Sequence, residues 1–174
     1  TVKVSNVVND VLSSEATLAV TTGPKPGDTF TIDNLIYTII DLLTEEANGT
    51  VSVKKLGDIS EDLNIPASVT NEDNTYDVTT IGDRAFIYCY DLTSVVIPDS
   101  VTTIGYSAFE DCTYLESICF RGDEPELKNK AFKGVPDTMT VYYVSGNTSW
   151  EDAIDPEGKW QGFNAVPMSA PVIT

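Results

Sequence analysis

The second half of the chain repeats itself every 23 residues, and no other feature constrains its fold as tightly. Residues 78–100 read VTTIGDRAFIYCYDLTSVVIPDS, and residues 101–123 follow without a gap as VTTIGYSAFEDCTYLESICFRGD. Ten of the 23 positions are identical. Residues 124–146, EPELKNKAFKGVPDTMTVYYVSG, keep the apolar frame in register. Ile81, Ile104 and Leu127 correspond, as do Phe86, Phe109 and Phe132; Cys89, Cys112 and Val135; Val95, Ile118 and Val141; and Ile97, Phe120 and Tyr143. A degenerate earlier copy is visible where Leu63-Asn64-Ile65-Pro66 matches Val95-Val96-Ile97-Pro98. The polar run 71–77 that follows it reads as a loop or hairpin excursion. A unit of this size cannot bury its apolar face alone. Copies must therefore stack, at a strand spacing of roughly 4.7–4.9 Å, around one continuous core.

Within a copy, Val95 and Ile97 alternate on one face of a short strand that Pro98 ends, because proline cannot donate to a ladder. Ile81-Gly82 and Ile104-Gly105 read as a second short extended stretch with a turn. Phe86, Cys89 and Leu92 fall three apart, which predicts a single helical or 3₁₀ turn.

The pattern I-G-x-x-A-F-x-x-C-x-x-L-x-x-V-x-I-P-x-x-V-T-x, met from Ile81 to Thr103, resembles the bacterial BspA-like leucine-rich repeats with their 23-residue units. Ile104 to Leu127 keeps its first half but has Phe120-Arg121-Gly122 in place of I-P. The resemblance extends from about residue 27 to 165; at its front Gly27 to Ile39 looks like the hairpin that often begins such modules, with Asp33-Asn34 as its two-residue turn, and Gly49 to Val53 reads as a further strand. It implies a mainly β solenoid of about three to four repeats with short helical or 3₁₀ turns, an N-terminal hairpin region and a C-terminal cap. Ser149-Trp150 and Trp160-Gln161-Gly162-Phe163 resemble that cap, whose aromatics would cover the open edge. The family further implies a cell-surface or secreted protein of host-associated bacteria, often an adhesin-like binder of host or neighbouring-cell proteins.

The two ends resemble something else. Thr1 to Asn6 and Ser13 to Thr21 alternate at period two, like the last strands of a bacterial immunoglobulin-like domain, and Ala170 to Thr174 resembles the first strand of another. A native hairpin packed on the solenoid's open end is the alternative. The chain starts without methionine and reads as an excised piece of a longer protein. The expected organisation is an immunoglobulin-like fragment (1–22), a linker and hairpin cap (23–62), repeats (63–146), a cap (147–166), and a linker or start of a following domain (167–174).

Charge and chemistry exclude more than they identify. The chain has 10 Lys+Arg against 27 Asp+Glu, a net charge of −17, and no histidine. Such a field repels nucleic acid and anionic membranes. The missing histidine removes Ser-His-Asp and Cys-His nucleophiles and every His-ligated metal site. Ser107 lacks a nucleophile-elbow context and a base. The carboxylates Asp28, Asp33, Asp41, Asp58, Glu61, Asp62, Glu72, Asp73, Asp77 and Asp83 follow no EF-hand spacing and read as a solvated acidic face. No catalytic residue, metal or cofactor is expected. Cys89 and Cys112, one repeat apart, should stack near disulfide range but read as buried free thiols, with Cys119 the odd one on an exposed strand position.

Residues alternating with the buried strand positions form one outward ladder, and these are the candidate ligand-binding residues. The first row is Asp62, Ser94, Ser117 and Thr140; beside it run Asn64, Val96, Cys119 and Tyr142. A plain solvated sheet face is the competing reading. The expected function is an extracellular, adhesin-like protein-interaction module of a bacterial surface or secreted protein, with host or neighbouring-cell surface proteins as partners and no membrane insertion. A structural spacer between immunoglobulin-like domains is the alternative. A carbohydrate-binding accessory module is a more distant one, and it needs Trp150 and Trp160 exposed as a platform.

Overall fold

A computed structural model describes residues 23–44, 47–59 and 61–169. The immunoglobulin-like fragments expected at 1–22 and 170–174 lie outside the described residues.

The first strands are β1 (Thr29–Ile32), β2 (Leu35–Asp41) and β3 (Gly49–Lys55). Asp33 and Asn34 both take positive φ, 47° and 65°, as the tight β1–β2 turn requires. The period-two pattern of β2 sends Leu35, Tyr37 and Ile39 into the core, and β3 adds Val51 and Val53. Strand β4 (Asp62–Asn64) opens the repeat array. The polar excursion is a hairpin of β5 (Ser68–Asn71) and β6 (Asn74–Ile81), with Glu72 at φ 54° in its turn.

The repeats then alternate between two sheets. They contribute β7 (Ser94–Ile97), β8 (Thr103–Ile104), β9 (Ser117–Phe120), β10 (Glu126–Leu127) and β11 (Thr140–Val144). A short helix α1 (Thr148–Ala153), β12 (Lys159–Trp160) and β13 (Phe163–Met168) complete the order. One sheet runs β1-β2-β3-β6-β8-β10, with β5 on β6; the other runs β12-β13-β11-β9-β7-β4. In the second sheet β4, β7, β9, β11 and β13 are parallel neighbours, so five coils stack.

The register is the one the repeat dictates. Val95 lies opposite Ile118, and Ile97 opposite Phe120. Val141 and Tyr143 follow on the next strand, and Ile81, Ile104 and Leu127 align in the other sheet. Phe86, Phe109 and Phe132 stack as a column of rings at 5.3 and 5.4 Å. Stacking brings backbones very close at Gly105, where an added Cβ would sit 2.6 Å from the Asp83 nitrogen, so only glycine fits. In the third copy Thr138 falls where Leu92 and Leu115 sit, and Met139, fully buried, fills the core instead.

The expected helical turn resolves differently. Ala85, Ile87 and Leu92 each close a four-residue turn onto Gly82, Arg84 and Cys89. Arg84 and Tyr88, at φ 53° and 58°, interrupt the run, as Ser107 and Asp111 do one copy later. Each left-handed residue turns alternate amides outward to the next coil: Phe86 donates to the Ala108 carbonyl at 2.8 Å and Tyr88 to that of Glu110 at 3.0 Å. A helix would have kept these donors within its own chain segment.

The cap closes the far end. Trp150 and Trp160 are fully buried against Phe120, and their indole N–H groups donate to the Gly122 carbonyl and the Glu124 carboxylate at 2.9 and 2.7 Å. Pro167 and Met168, placed by sequence in a following segment, instead pair with Tyr143 and Val144 as the end of β13. The strand continues there because the open edge of β11 supplies partners along its whole length.

Candidate functional site

The outward face of the second sheet carries the residues expected there. Asp62, Ser94, Ser117 and Thr140 lie side by side, and so do Asn64, Val96, Cys119 and Tyr142. The rows continue onto β13 with Asn164 and Val166, which the repeat alone did not reach. Asp62 and Asn64 are exposed, while the remaining six are half-buried. The face is tied by short polar contacts: Ser94 Oγ donates to the Asp62 carboxylate at 2.6 Å.

Cys119 is not the open position that alternation implied. Its Sγ lies 3.9 Å from the Met168 sulfur, and burial pushes its thiol pKa up against the opposing pull of Arg121. It is therefore a poor nucleophile. Ser107 is fully buried, which removes it from any surface chemistry.

A second feature adjoins the ladder. Three of the exposed large hydrophobic side chains among the described residues are tyrosines on consecutive coils: Tyr88 at 51 %, Tyr90 at 53 % and Tyr114 at 66 %. The Tyr88 and Tyr90 rings stack at 6.2 Å. Tyr90 and Tyr114 line an open groove of about 680 Å³ with Glu61, Asp62, Asp91 and Thr93. Asp62 thus belongs both to the groove and to the first row of the ladder. The turns hold their places because Thr93 and Ser94 both donate backbone N–H bonds to the Glu61 carbonyl, and Glu116 and Ser117 repeat this onto Thr93. Aromatic faces beside three carboxylates, with no cation among the described lining residues, suit a partner surface that presents Lys or Arg over apolar area.

Sequence reasoning missed these tyrosines because they stand outside the apolar frame. Their counterparts in the neighbouring copies are Asp111, Thr113 and Asp91, so nothing in phase marked them. Scanning the non-frame positions for aromatics would have found them.

Among the described residues no group of three or more His, Cys, Asp or Glu is placed to hold a metal ion. No helix among them is long and apolar enough to cross a membrane. The carbohydrate reading loses its platform, because both tryptophans lie in the cap's core.

A family model described as "BspA type Leucine rich repeat region" matches residues 61–153 as six copies, 93 of the 174 residues. No curated protein matches the chain. Among solved structures, a leucine rich cell surface protein from Faecalibacterium prausnitzii is similar at 26% identity with a TM-score of 0.48, over 74% of this chain and 41% of that one. The pneumococcal vaccine antigen PcpA is similar at 20% identity with a TM-score of 0.56, over 85% of this chain and 39% of that one. A leucine-rich repeat protein from Bacteroides capillosus is similar at 26% identity with a TM-score of 0.46, over 66% and 97%. The chain spans about two fifths of the first two. The likeness to the vaccine antigen is one of fold.

Proposed function

The chain belongs to the BspA-type leucine-rich repeat family, and on that premise we propose that it is an extracellular, adhesin-like protein-interaction module of a bacterial cell-surface protein. Its partners are proteins of host or neighbouring cells, and they dock on the second sheet's outward face and the tyrosine groove beside it. The observation that carries this reading is the cluster of exposed Tyr88, Tyr90 and Tyr114 at the margin of the ladder. A soluble solenoid under no demand to bind would place polar residues at those turns, as its own neighbouring copies do with Asp111 and Thr113. Tyrosine is among the residues that dominate interface energetics. The acidic lining and the net charge of −17 favour a basic partner surface and an association that weakens with salt.

The test is a binding screen on immobilised matrix proteins and mucins, run with the wild type and three variants. Tyr90→Ser combined with Tyr114→Ser should weaken binding roughly tenfold or more, since each interface tyrosine of this kind is worth about 1–2 kcal/mol. Tyr142→Ala and Val96→Asp probe the ladder itself. Binding unchanged by all three variants removes this surface from the account. Failure to bind anything in the screen favours the spacer reading.

A further inference from the structure

Cys89 and Cys112 occupy equivalent places in two successive coils. The amides of Phe86 and Tyr88 donate to the carbonyls of Ala108 and Glu110, which fixes these segments as parallel neighbours. Backbones so paired lie roughly 4.7–4.9 Å apart, inside the Cα–Cα range that a disulfide spans. Cys112 Sγ donates to the Phe86 carbonyl, three residues before Cys89, at 3.1 Å, and the two thiols perturb each other's ionisation. From β3, the half-buried Lys55 donates from Nζ to the Ile87 carbonyl at 2.8 Å and to Cys89 Sγ at 3.3 Å. Neither ion pair among the described residues involves Lys55, and Cys89 Sγ lies within reach of its ammonium, with Asp58 the nearby carboxylate.

The geometry points to an oxidisable dithiol: Cys89 attacks a peroxide as the thiolate, Lys55 is its counter-ion, Cys112 resolves, and the product is a disulfide joining two adjacent coils. The electrostatics agree. The neighbouring Cys112 thiol and then the Lys55 ammonium outweigh desolvation and Asp58, holding the Cys89 thiol below its usual pKa. Cys112 moves the other way, pushed up by Cys89 and by burial, so it keeps its proton. Cys89 retains 4 % of its surface and Cys112 none, so a small oxidant such as hydrogen peroxide meets Cys89 first.

The chemistry balances in two steps. The Cys89 thiolate attacks one peroxide oxygen; the S–O bond forms, the O–O bond breaks, and hydroxide leaves to be protonated to water. Cys112 then attacks the Cys89 sulfur; the S–S bond forms, the S–O bond breaks, and hydroxide departs with the Cys112 proton as a second water. Two thiols lose two electrons, and one peroxide gains them. The third cysteine takes no part, because Cys119 sits on the other side of the coil beside Met168. Cys89 lies between Tyr88 and Tyr90 in the chain, so the cross-link pins the turn that presents both rings.

The test treats the reduced whole protein with hydrogen peroxide and counts thiols after denaturation. The expected result is a fall from three thiols to one, a mass lower by two hydrogens, and a non-reducing digest that joins the peptides holding Cys89 and Cys112. Cys112→Ser should leave a Cys89 sulfenic acid that dimedone traps. Lys55→Met should slow oxidation at pH 7 roughly twofold or more, since Lys55 is only part of what lowers the thiol pKa and the lost thiolate fraction is partly offset by higher intrinsic nucleophilicity. Three thiols surviving in the wild type, a link through Cys119, or no dimedone adduct in Cys112→Ser would each overturn the proposal.

Discussion

Removing one ring from the phenylalanine column tests whether the coils share a single core. Phe109 is fully buried and stacks on Phe86 at 5.3 Å and on Phe132 at 5.4 Å. Phe109→Ala removes a buried ring, which costs about 3–5 kcal/mol. It also removes two aromatic contacts, each worth about 0.5–1.5 kcal/mol beyond area. Phe86 has only one neighbour in the column, so Phe86→Ala should cost about 1 kcal/mol less. The assay is equilibrium urea unfolding followed by circular dichroism, with double-mutant cycles. Phe86→Ala and Phe109→Ala, removing touching rings, should couple by about 0.5–1.5 kcal/mol, whereas Phe86→Ala and Phe132→Ala should add. Additivity for the touching pair, or equal costs at Phe86 and Phe109, would refute a core built from nearest-neighbour stacking.

Three further outcomes follow from the same contacts. Trp150 and Trp160 should be quenched little by acrylamide until the cap unfolds, because both are fully buried; strong quenching in the native state would reopen an exposed aromatic platform. Tyr37 is held up to about 12 by burial and then by Asp33, against an ordinary value of 10.0. A raised folded pKa gives stability that is complete below pH 10 and lost between 10 and 12, so about 2–3 kcal/mol should vanish over that window and Tyr37→Phe should flatten the loss in alkaline melting curves. The Tyr76 hydroxyl is buried without a hydrogen-bond partner among the described residues. Tyr76→Phe should therefore stabilise by about 1 kcal/mol, read as a melting point higher by roughly 2–4 °C.

The coil register was legible because stacked copies must bury the same positions. That placed Ile97 opposite Phe120 and Cys89 beside Cys112, whereas the Asp33-Asn34 turn and the buried tryptophans came from the resemblance to the repeat family. The turn segments were not legible in the same way. A spacing of three apolar residues fits a 3₁₀ turn and a series of β-turns equally well, and the left-handed residues that decide between them, Arg84, Tyr88, Ser107 and Asp111, share no side-chain chemistry. The candidate face was placed by alternation, yet its exposure was overestimated, since alternation assigns a side without saying what β13 and Met168 cover. The tyrosine groove stayed hidden because it depends on which turn residues converge across coils, and one copy read alone carries no record of that.

The measurement that bears most directly on function is hydrogen exchange of the protein alone and bound to whichever surface protein the screen yields. Added protection should fall on β4, β7, β9 and β11 and on the turns that carry Tyr88, Tyr90 and Tyr114. Protection confined to β1, β2, β3 and β6 of the opposite sheet would contradict the account.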